Sequence, residues 1–520
     1  MSFAARLDRV LNTLPQTYAG PGGAVAVLKD GKPIVRHTWG WSNLERRLPF
    51  TPQSLFRICS ITKHFTCALI RDAFPDMSVL DADVKARLPH LEGAIPTAQQ
   101  LAHNQSGLKD YWAVAMLMGG LAETPFADRE TARLINNTRG RQFAPGSRYS
   151  YCNQNFRILS DILTARTGRS YAELIRARIF GPVGMTSAFI AADTRSMPDG
   201  SDGYEGTVAT GFRPAANGMF WSGGDASIGA SLDDMIAWEA FIDATRDDVK
   251  GLYRRISEPV TFNDGAVAGY GYGLARETVS GRQSTRHGGA LRGWRSQRVH
   301  LADERLSVVV MFNHDASPGA AADEILSAIL GIEKPAEGSA LPAPAWLGTY
   351  LEPETGLSVR LTKSGPRQIQ LHYATGPETL TLLDDGSAVQ DRSGTRIRPT
   401  TDGIWLDIPA DNQRSLLVAR NGEAKADFAG TYHCAELGAT LDIADAGGAL
   451  YAACSGALGD GRMEQLEAIG RDLWVMPCPR GIDHFPPGDW TIDLQRDSAG
   501  KVTGLQLGCW LARKFDYRRQ

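Results

Sequence analysis

Ser60 and Lys63 stand three residues apart in the stretch Phe56-Arg57-Ile58-Cys59-Ser60-Ile61-Thr62-Lys63-His64-Phe65-Thr66. Apolar residues then recur at helical spacing (Ile61, Phe65, Ala68, Leu69), and no Gly or Pro intervenes before Pro75. A helix beginning at Ser60 puts both side chains on one face. That arrangement suits nucleophilic acyl transfer. A serine hydroxyl needs a neighbouring base, and its oxyanion gains from the free N–H groups of a helix N-terminus. The alternative for Ser60 is an ordinary N-cap. Two other Ser-x-x-Lys pairs occur, Ser106/Lys109 and Ser498/Lys501. The first contains Gly107, the second lies in a hairpin-like Asp497-Ser498-Ala499-Gly500-Lys501, and neither opens a long helix. The chain has eleven lysines against forty-four arginines, so a cation is usually Arg. A base must be able to lose its proton, which a buried Lys can do and Arg cannot.

Two further clusters carry groups of the right kind. In Phe143-Ala144-Pro145-Gly146-Ser147-Arg148-Tyr149-Ser150-Tyr151-Cys152-Asn153-Gln154-Asn155-Phe156, Pro-Gly marks a turn and the apolar run after Phe156 begins a helix. Tyr151 and Asn153 are thus expected on a connecting loop, where a packed ring and a turn-capping amide are the plainer reading. In His287-Gly288-Gly289-Ala290, the paired glycines would let a substrate backbone lie close along a strand edge.

The elements that must position these groups follow the order helix, strands, helices, strands, helix. Residues 3–14 read as an amphipathic helix, with Leu7, Val10, Leu11 and Leu14 on one side. Residues 24–28 and 34–38 read as a hairpin. The pattern from about 80 to 250 is mostly helical, with long polar connections such as 187–222. Strand character returns at 270–274 and 295–312, and a helix over 320–330 ends the unit. This order predicts an α+β domain, an antiparallel sheet packed by its terminal helices, with an all-helical insertion.

Residues 333–345 are linker-like, ending in Leu341-Pro342-Ala343-Pro344-Ala345. Short alternating runs then replace helical periodicity, and a repeat emerges. Trp346-Leu347-Gly348-Thr349-Tyr350 matches Phe428-Ala429-Gly430-Thr431-Tyr432, and Gly356-Leu357-Ser358-Val359 matches Gly438-Ala439-Thr440-Leu441 at the same offset. Two small antiparallel β-barrels are expected, with Gly-Thr-Tyr as packing that closes each barrel. The domain reading is 1–332, a linker 333–345, a first barrel 346–420 and a second 421–520. Inside the last, 477–488 carries four prolines and is far longer than a hairpin turn, so it should project stiffly.

Composition excludes several classes. The chain is 520 residues, 43% hydrophobic and 22% charged, with net charge −3 and no long basic run, which argues against nucleic acid and anionic membrane as partners. No apolar run approaches the roughly twenty residues of a membrane span. The N-terminus lacks a hydrophobic signal region, and the seven cysteines are dispersed without Cys-x-x-Cys; both lead to the expectation of a cytoplasmic protein with reduced thiols. The ten histidines are scattered without His-Glu-x-x-His, so no metal and no cofactor is expected. The sequence does not give the oligomeric state; a homodimer is the working expectation.

Taken in order, Ser60-Ile61-Thr62-Lys63, Tyr151-Cys152-Asn153 and His287-Gly288-Gly289 resemble the three motifs of the penicillin-recognising serine hydrolases, which include class C β-lactamases, DD-peptidases and related esterases. Leu101–Leu108 and Phe180–Met185 support the match, which covers about residues 10–330, and the appended β-units resemble those of members that release N-terminal D-residues. The resemblance implies a β-lactamase-like catalytic domain. It also implies catalytic roles for Ser60, Lys63, Tyr151 and His287, with Lys63 and Tyr151 a coupled pair of which either is the base. Asn153 would hold Lys63 or the substrate amide, the N–H groups of Ser60 and Ala290 would bind the oxyanion, and Gly288 and Gly289 would border the substrate. Many relatives have Lys where this chain has His287. A neutral His binds a substrate carboxylate poorly at pH 7, which speaks against β-lactams and D-Ala-D-Ala ends. The implied activity is a serine aminopeptidase acting on small peptides or amino acid amides with an N-terminal D-residue such as D-alanine. An esterase, β-lactamase or DD-carboxypeptidase on the same scaffold, or a silent binding protein, is the alternative. A substrate ammonium needs an acidic partner, and the resemblance assigns that role to Asp483 on the 477–488 loop.

Overall fold

A computed structural model describes residues 3–122, 125–215, 219–220, 223–332, 339–478, 481–482 and 487–520. The first unit is built on an antiparallel sheet of eight strands. From one edge to the other they are Tyr270–Gly271, Leu274–Val279, Arg282–Leu291, Trp294–Leu301, Leu306–Phe312, Gly22–Lys29, Lys32–Asn43 and Leu48–Pro49. The central strands are covered on both faces, so they read as continuous apolar runs while their side chains alternate between two cores. Val25, Val27, Val308 and Val310 meet the helices Phe3–Thr17 and Pro318–Leu330. Ala24, Ala26, Leu28, Val309 and Met311 face the helical layer that begins with helix Thr62–Ala73. The terminal helices pack together on the sheet, as the order of elements requires.

Of the appended units, the first is a closed barrel of eight strands between Gly348 and Ala419, sealed where Tyr350 and Leu351 pair with Ala419 and Val418. In the second, Gly430–Cys434 pairs with the last strand, Ala512–Arg519. The run 464–470 pairs with Ala449–Gly456 at its start and with Leu473–Met476 at its end, which brings the sheet back on itself. The repeated Gly-Thr-Tyr does the same work twice. Tyr350 donates its hydroxyl hydrogen to Trp346 O (2.6 Å), and Tyr432 donates to Phe428 O (2.7 Å). Among the described residues no helix is long and apolar enough to cross a membrane.

The second barrel is docked on the helical layer by apolar insertion. Ala113 and Leu117 of helix Tyr111–Leu117 are buried in the barrel's own core, while Val114 and Met116 touch both cores. Backbone bonds run both ways, from Leu458 N to Met118 O (3.0 Å) and from Asp110 N to Leu511 O (2.9 Å). At the rim, Lys109 pairs with Glu436 at 2.8 Å and lies 3.8 Å from the centre of the Phe515 ring.

Gly119 makes the closest approach of this dock. Its φ is +81°, and a Cβ there would stand 1.8 Å from Gly459 O. Gly119→Ala should cost about 2–4 kcal/mol, combining left-handed strain with forced separation of the backbones. Gly168 shares a positive φ of +68° but has open space, so Gly168→Ala should cost only about 1–2 kcal/mol. Urea midpoints of the two variants check this.

Candidate functional site

The strand Phe56–Arg57 pairs with Ile228–Ala230 and runs into a 3-10 turn, Cys59–Ile61, ahead of helix Thr62–Ala73. Ser60 lies in that turn, and no side chain caps either helical segment, so its hydroxyl is not an N-cap. Cys59, just before it, holds φ +57°, a conformation that costs about 1–3 kcal/mol in a non-glycine residue. Strands Arg282–Leu291 and Trp294–Leu301 pack against this turn. A Cβ on Gly289 would meet Ser296 Oγ at 2.2 Å, Ile58 O at 2.4 Å and Cys59 Cβ at 2.9 Å, and Ser296 Oγ donates to Ile58 O (3.0 Å). Gly289 is therefore a packing glycine against the Ser60 turn rather than open space for a substrate. Gly288 is the exposed member of the pair.

Lys63 is fully buried and donates to three acceptors from three segments: Ser60 Oγ (3.0 Å), Asn153 Oδ1 (2.8 Å) and Asp225 O (2.8 Å). Burial lowers its pKa to about 8, against the opposing pull of the Asp225 and Asp110 carboxylates. Tyr151 lies beside the pair, its ring centre 4.9 Å from Lys63 Nζ, and the Ser60 hydroxyl next to its phenol opposes the rise of its pKa. Burial pushes the Tyr151 phenol well above its ordinary value, so it stays protonated where Lys63 titrates.

Asn153 is the first residue of helix Asn153–Thr167, not a loop residue; Tyr151 keeps its place in the connection. Capping explains the difference. The Asn153 N–H donates to the carboxylate of Asp110, which also accepts from Trp112 N (2.9 Å). Leu101–Leu108 braces the Tyr151 connection: Asn104 Oδ1 accepts from Cys152 N (3.2 Å) and Asn155 Nδ2 (2.9 Å), and Ser106 Oγ donates to Asn155 Oδ1 (2.9 Å). That bond gives the second Ser-x-x-Lys its structural reason.

His287 reaches the same cluster, its ring 6.2 Å from that of Tyr151. Its Nδ1 faces Gly288 O, a pure acceptor, so Nδ1 carries the hydrogen and Nε2 accepts from the Tyr270 hydroxyl (3.0 Å). Burial, with Lys63 nearby, lowers its pKa to about 3, so the ring is neutral at physiological pH. Past Arg286 this strand pairs only with Trp294–Leu301, which leaves the edge at His287–Leu291, Ala290 included, without a strand partner among the described residues.

Ser60, Lys63, Tyr151, Asn153, His287, Gly288, Gly289 and Ala290 thus come together, whereas Asp483 lies outside the described residues. Ile482, the residue before it, is buried in the core of the first unit, 3.1 Å from a Cβ built on Gly120. Three neighbours are not evident from sequence reasoning. Asp110, before an apolar run, signals an N-cap, but nothing local tells that it serves Asn153. Asp225 follows a glycine pair that signals close approach, and Thr66 Oγ1 donates to Gly224 O (2.6 Å) there. Trp510, more than 350 residues along the chain, stacks on Tyr151 with ring centres 5.8 Å apart and 12° between planes, and carries no local signal.

Comparison with known proteins gives the family of the chain. The family described as Beta-lactamase matches residues 7–331, and that described as D-aminopeptidase, domain B matches 339–518. A D-aminopeptidase of Gluconobacter oxydans is 54% identical, the match covering 100% of this chain and 99% of that protein. One from Cereibacter sphaeroides is 47% identical over 99% and 98%. Among solved structures, D-amino acid amidase from Ochrobactrum anthropi aligns with TM-score 0.52 at 19% identity, over 63% of this chain and 99% of that one. An octameric penicillin-binding protein homologue from Pyrococcus abyssi aligns with TM-score 0.52 at 17% identity over 99% of both chains. At such identities these structures speak to the fold.

The two carboxylates near Lys63 favour its ammonium, so removing one must favour the amine. Asp110→Asn should move the Lys63 titration midpoint below 8. An Nζ resonance assigned by its loss in Lys63→Arg and followed by 15N NMR across pH measures the shift.

Proposed function

The chain belongs to the D-aminopeptidase family, whose catalytic unit carries the β-lactamase fold, and from that membership we propose a serine hydrolase that releases the N-terminal D-amino acid of a small peptide or amino acid amide through an acyl-enzyme. The observation that carries this reading is the Lys63 Nζ–Ser60 Oγ contact of 3.0 Å in a site that lowers the amine's pKa to about 8. At pH 7 about a tenth of such a lysine is a free amine, and that fraction rises with pH. The free amine takes the Ser60 proton as Oγ bonds to the substrate carbonyl carbon. The protonated Tyr151 phenol, beside Ser60, supplies the leaving nitrogen with its proton as the C–N bond breaks, and regains one from Lys63. Water then attacks the ester, its proton returning through the same groups to Ser60.

The oxyanion falls to the N–H groups of Ser60 and Ala290, on the turn and the open strand edge that Gly289 holds together. Asn153, whose Oδ1 accepts from Lys63 Nζ (2.8 Å), holds the base in place. A neutral His287, with both ring nitrogens engaged, offers no charge to a substrate carboxylate. This favours substrates without one beside the scissile bond. At the other end, Ile482 is buried in the core of the first unit, which supports its chain neighbour Asp483 as partner of the substrate ammonium.

Ser60→Ala, with an unchanged unfolding midpoint, and Lys63→Arg should each lower kcat/KM on D-alanine p-nitroanilide about 10^4-fold or more, because Arg keeps the charge without the base. A panel of D- and L-amino acid p-nitroanilides, their N-acetyl forms and nitrocefin separates the aminopeptidase from the β-lactamase reading. Only the free-amine D-substrates should turn over well.

Asp483→Asn should raise KM for free-amine substrates about tenfold and leave N-acetylated ones no worse. Steady-state kinetics on matched pairs reads this directly.

A further inference from the structure

The hairpin Val502–Cys509 and Ala512–Arg519 turns through only two residues, Trp510 and Leu511, since Cys509 pairs with Ala512. That tip is pinned to the first unit by its backbone. Leu511 O accepts from Asp110 N (2.9 Å) and from Gln142 Nε2 (3.5 Å), and Leu511 itself is fully buried. Trp510 O accepts from Arg513 Nε (3.3 Å), whose side chain is buried in turn. The tip is thus held from both sides, and the direction of the indole is set with it.

Tyr151 needs such a neighbour. It stands on irregular backbone between Ser150 and helix Asn153–Thr167 and is only half-buried, so no ladder or helix turn fixes its ring. Around it, Tyr270 presents an edge (81° between planes, 6.5 Å) and His287 is tilted (47°, 6.2 Å). Trp510 is the near-parallel partner, at 12°, among the described ring contacts. Asp110 couples the same tip to the rest of the site, since its N–H holds Leu511 and its carboxylate accepts the Asn153 N–H.

We propose that Trp510 is a positioning residue for Tyr151: the second barrel's hairpin tip aims the phenol hydroxyl at Ser60, so that this barrel takes part in catalysis and not only in substrate selection. The proposal rests on the acyl-enzyme reading above. Stacking of this kind favours one ring orientation over its alternatives. A phenol that misses Ser60 by even about 1 Å loses up to about 100-fold in rate.

The test compares Trp510→Ala and Trp510→Phe with the parent on D-alanine p-nitroanilide, rates being normalised to acylatable sites by burst titration with an activated ester. Normalisation removes misfolded molecules from the count. Trp510→Ala should lower kcat about 10- to 100-fold and leave KM within about threefold, and Trp510→Phe, which keeps a stacking ring, should recover most of kcat. An unchanged kcat in Trp510→Ala overturns the proposal, as does a Phe variant no better than Ala. Ser60→Ala run alongside separates the two layers. If it is inactive while Trp510→Ala turns over normally, the acyl-enzyme reading stands and the positioning role falls; if it stays active, both fall.

Discussion

The site depends on keeping one ammonium group out of water. Moving a lysine to a fully buried position costs several kcal/mol unless each of its hydrogens meets an acceptor. Lys63 meets three, supplied by the Ser60 turn, the start of helix Asn153–Thr167 and the Gly223-Gly224-Asp225 segment. Each must be held to hydrogen-bond tolerance, and each is. The turn is clamped by Gly289 and Ser296, the helix start by Asp110, and the glycine segment by Thr66 and Ser160. The three acceptors and the two nearby carboxylates favour the ammonium, but burial outweighs them and lowers the pKa toward neutrality.

The appended barrels follow from this arrangement. A helical layer that buries Lys63 on one side leaves apolar residues such as Ala113 and Leu117 to be covered on the other, and the second barrel covers them. Its hairpin tip then borders the Tyr151 side of the site. The first barrel reaches the same connection through Asp411 O, which accepts from Tyr149 N at 3.1 Å. Beside it, Asn412 Nδ2 donates to Ser147 O (3.0 Å). The residues that carry Tyr151 are therefore braced from outside the catalytic unit as well as within it.

Much of this was readable from the chain. Period-two and helical patterns marked the sheet, its covering helices and the barrels, because burial on one face writes itself into local spacing. The central strands were legible as apolar runs, although their alternation between two cores was not, since both faces are buried. Ser60, Lys63, Tyr151 and His287 stood out through motif spacing. Local pattern places Asn153 in a loop because its cap, Asp110, lies 43 positions earlier and no local signal joins them. The paired glycines suggest room for substrate, whereas Gly289 answers to Ile58 O beside the Ser60 turn, a contact of long sequence separation. Trp510 and Asp225 carry no such role in the sequence for the same reason: tertiary structure alone brings them to the site.

The central claim is that Ser60, with Lys63 as its base, becomes acylated by a substrate bearing a free D-amino terminus. Its most direct test is acid quench during turnover of a D-alanine ester, followed by fragment-ion mass spectrometry of the tryptic peptide Ile58–Lys63. That peptide also holds Cys59 and Thr62, so the fragments discriminate among three nucleophiles in one spectrum. The account predicts an alanyl adduct on Ser60 in the parent, formed with the D-ester far faster than with the L-ester and lost in Lys63→Arg. An adduct on Cys59, or turnover with no adduct on this peptide under any quench time, would contradict it.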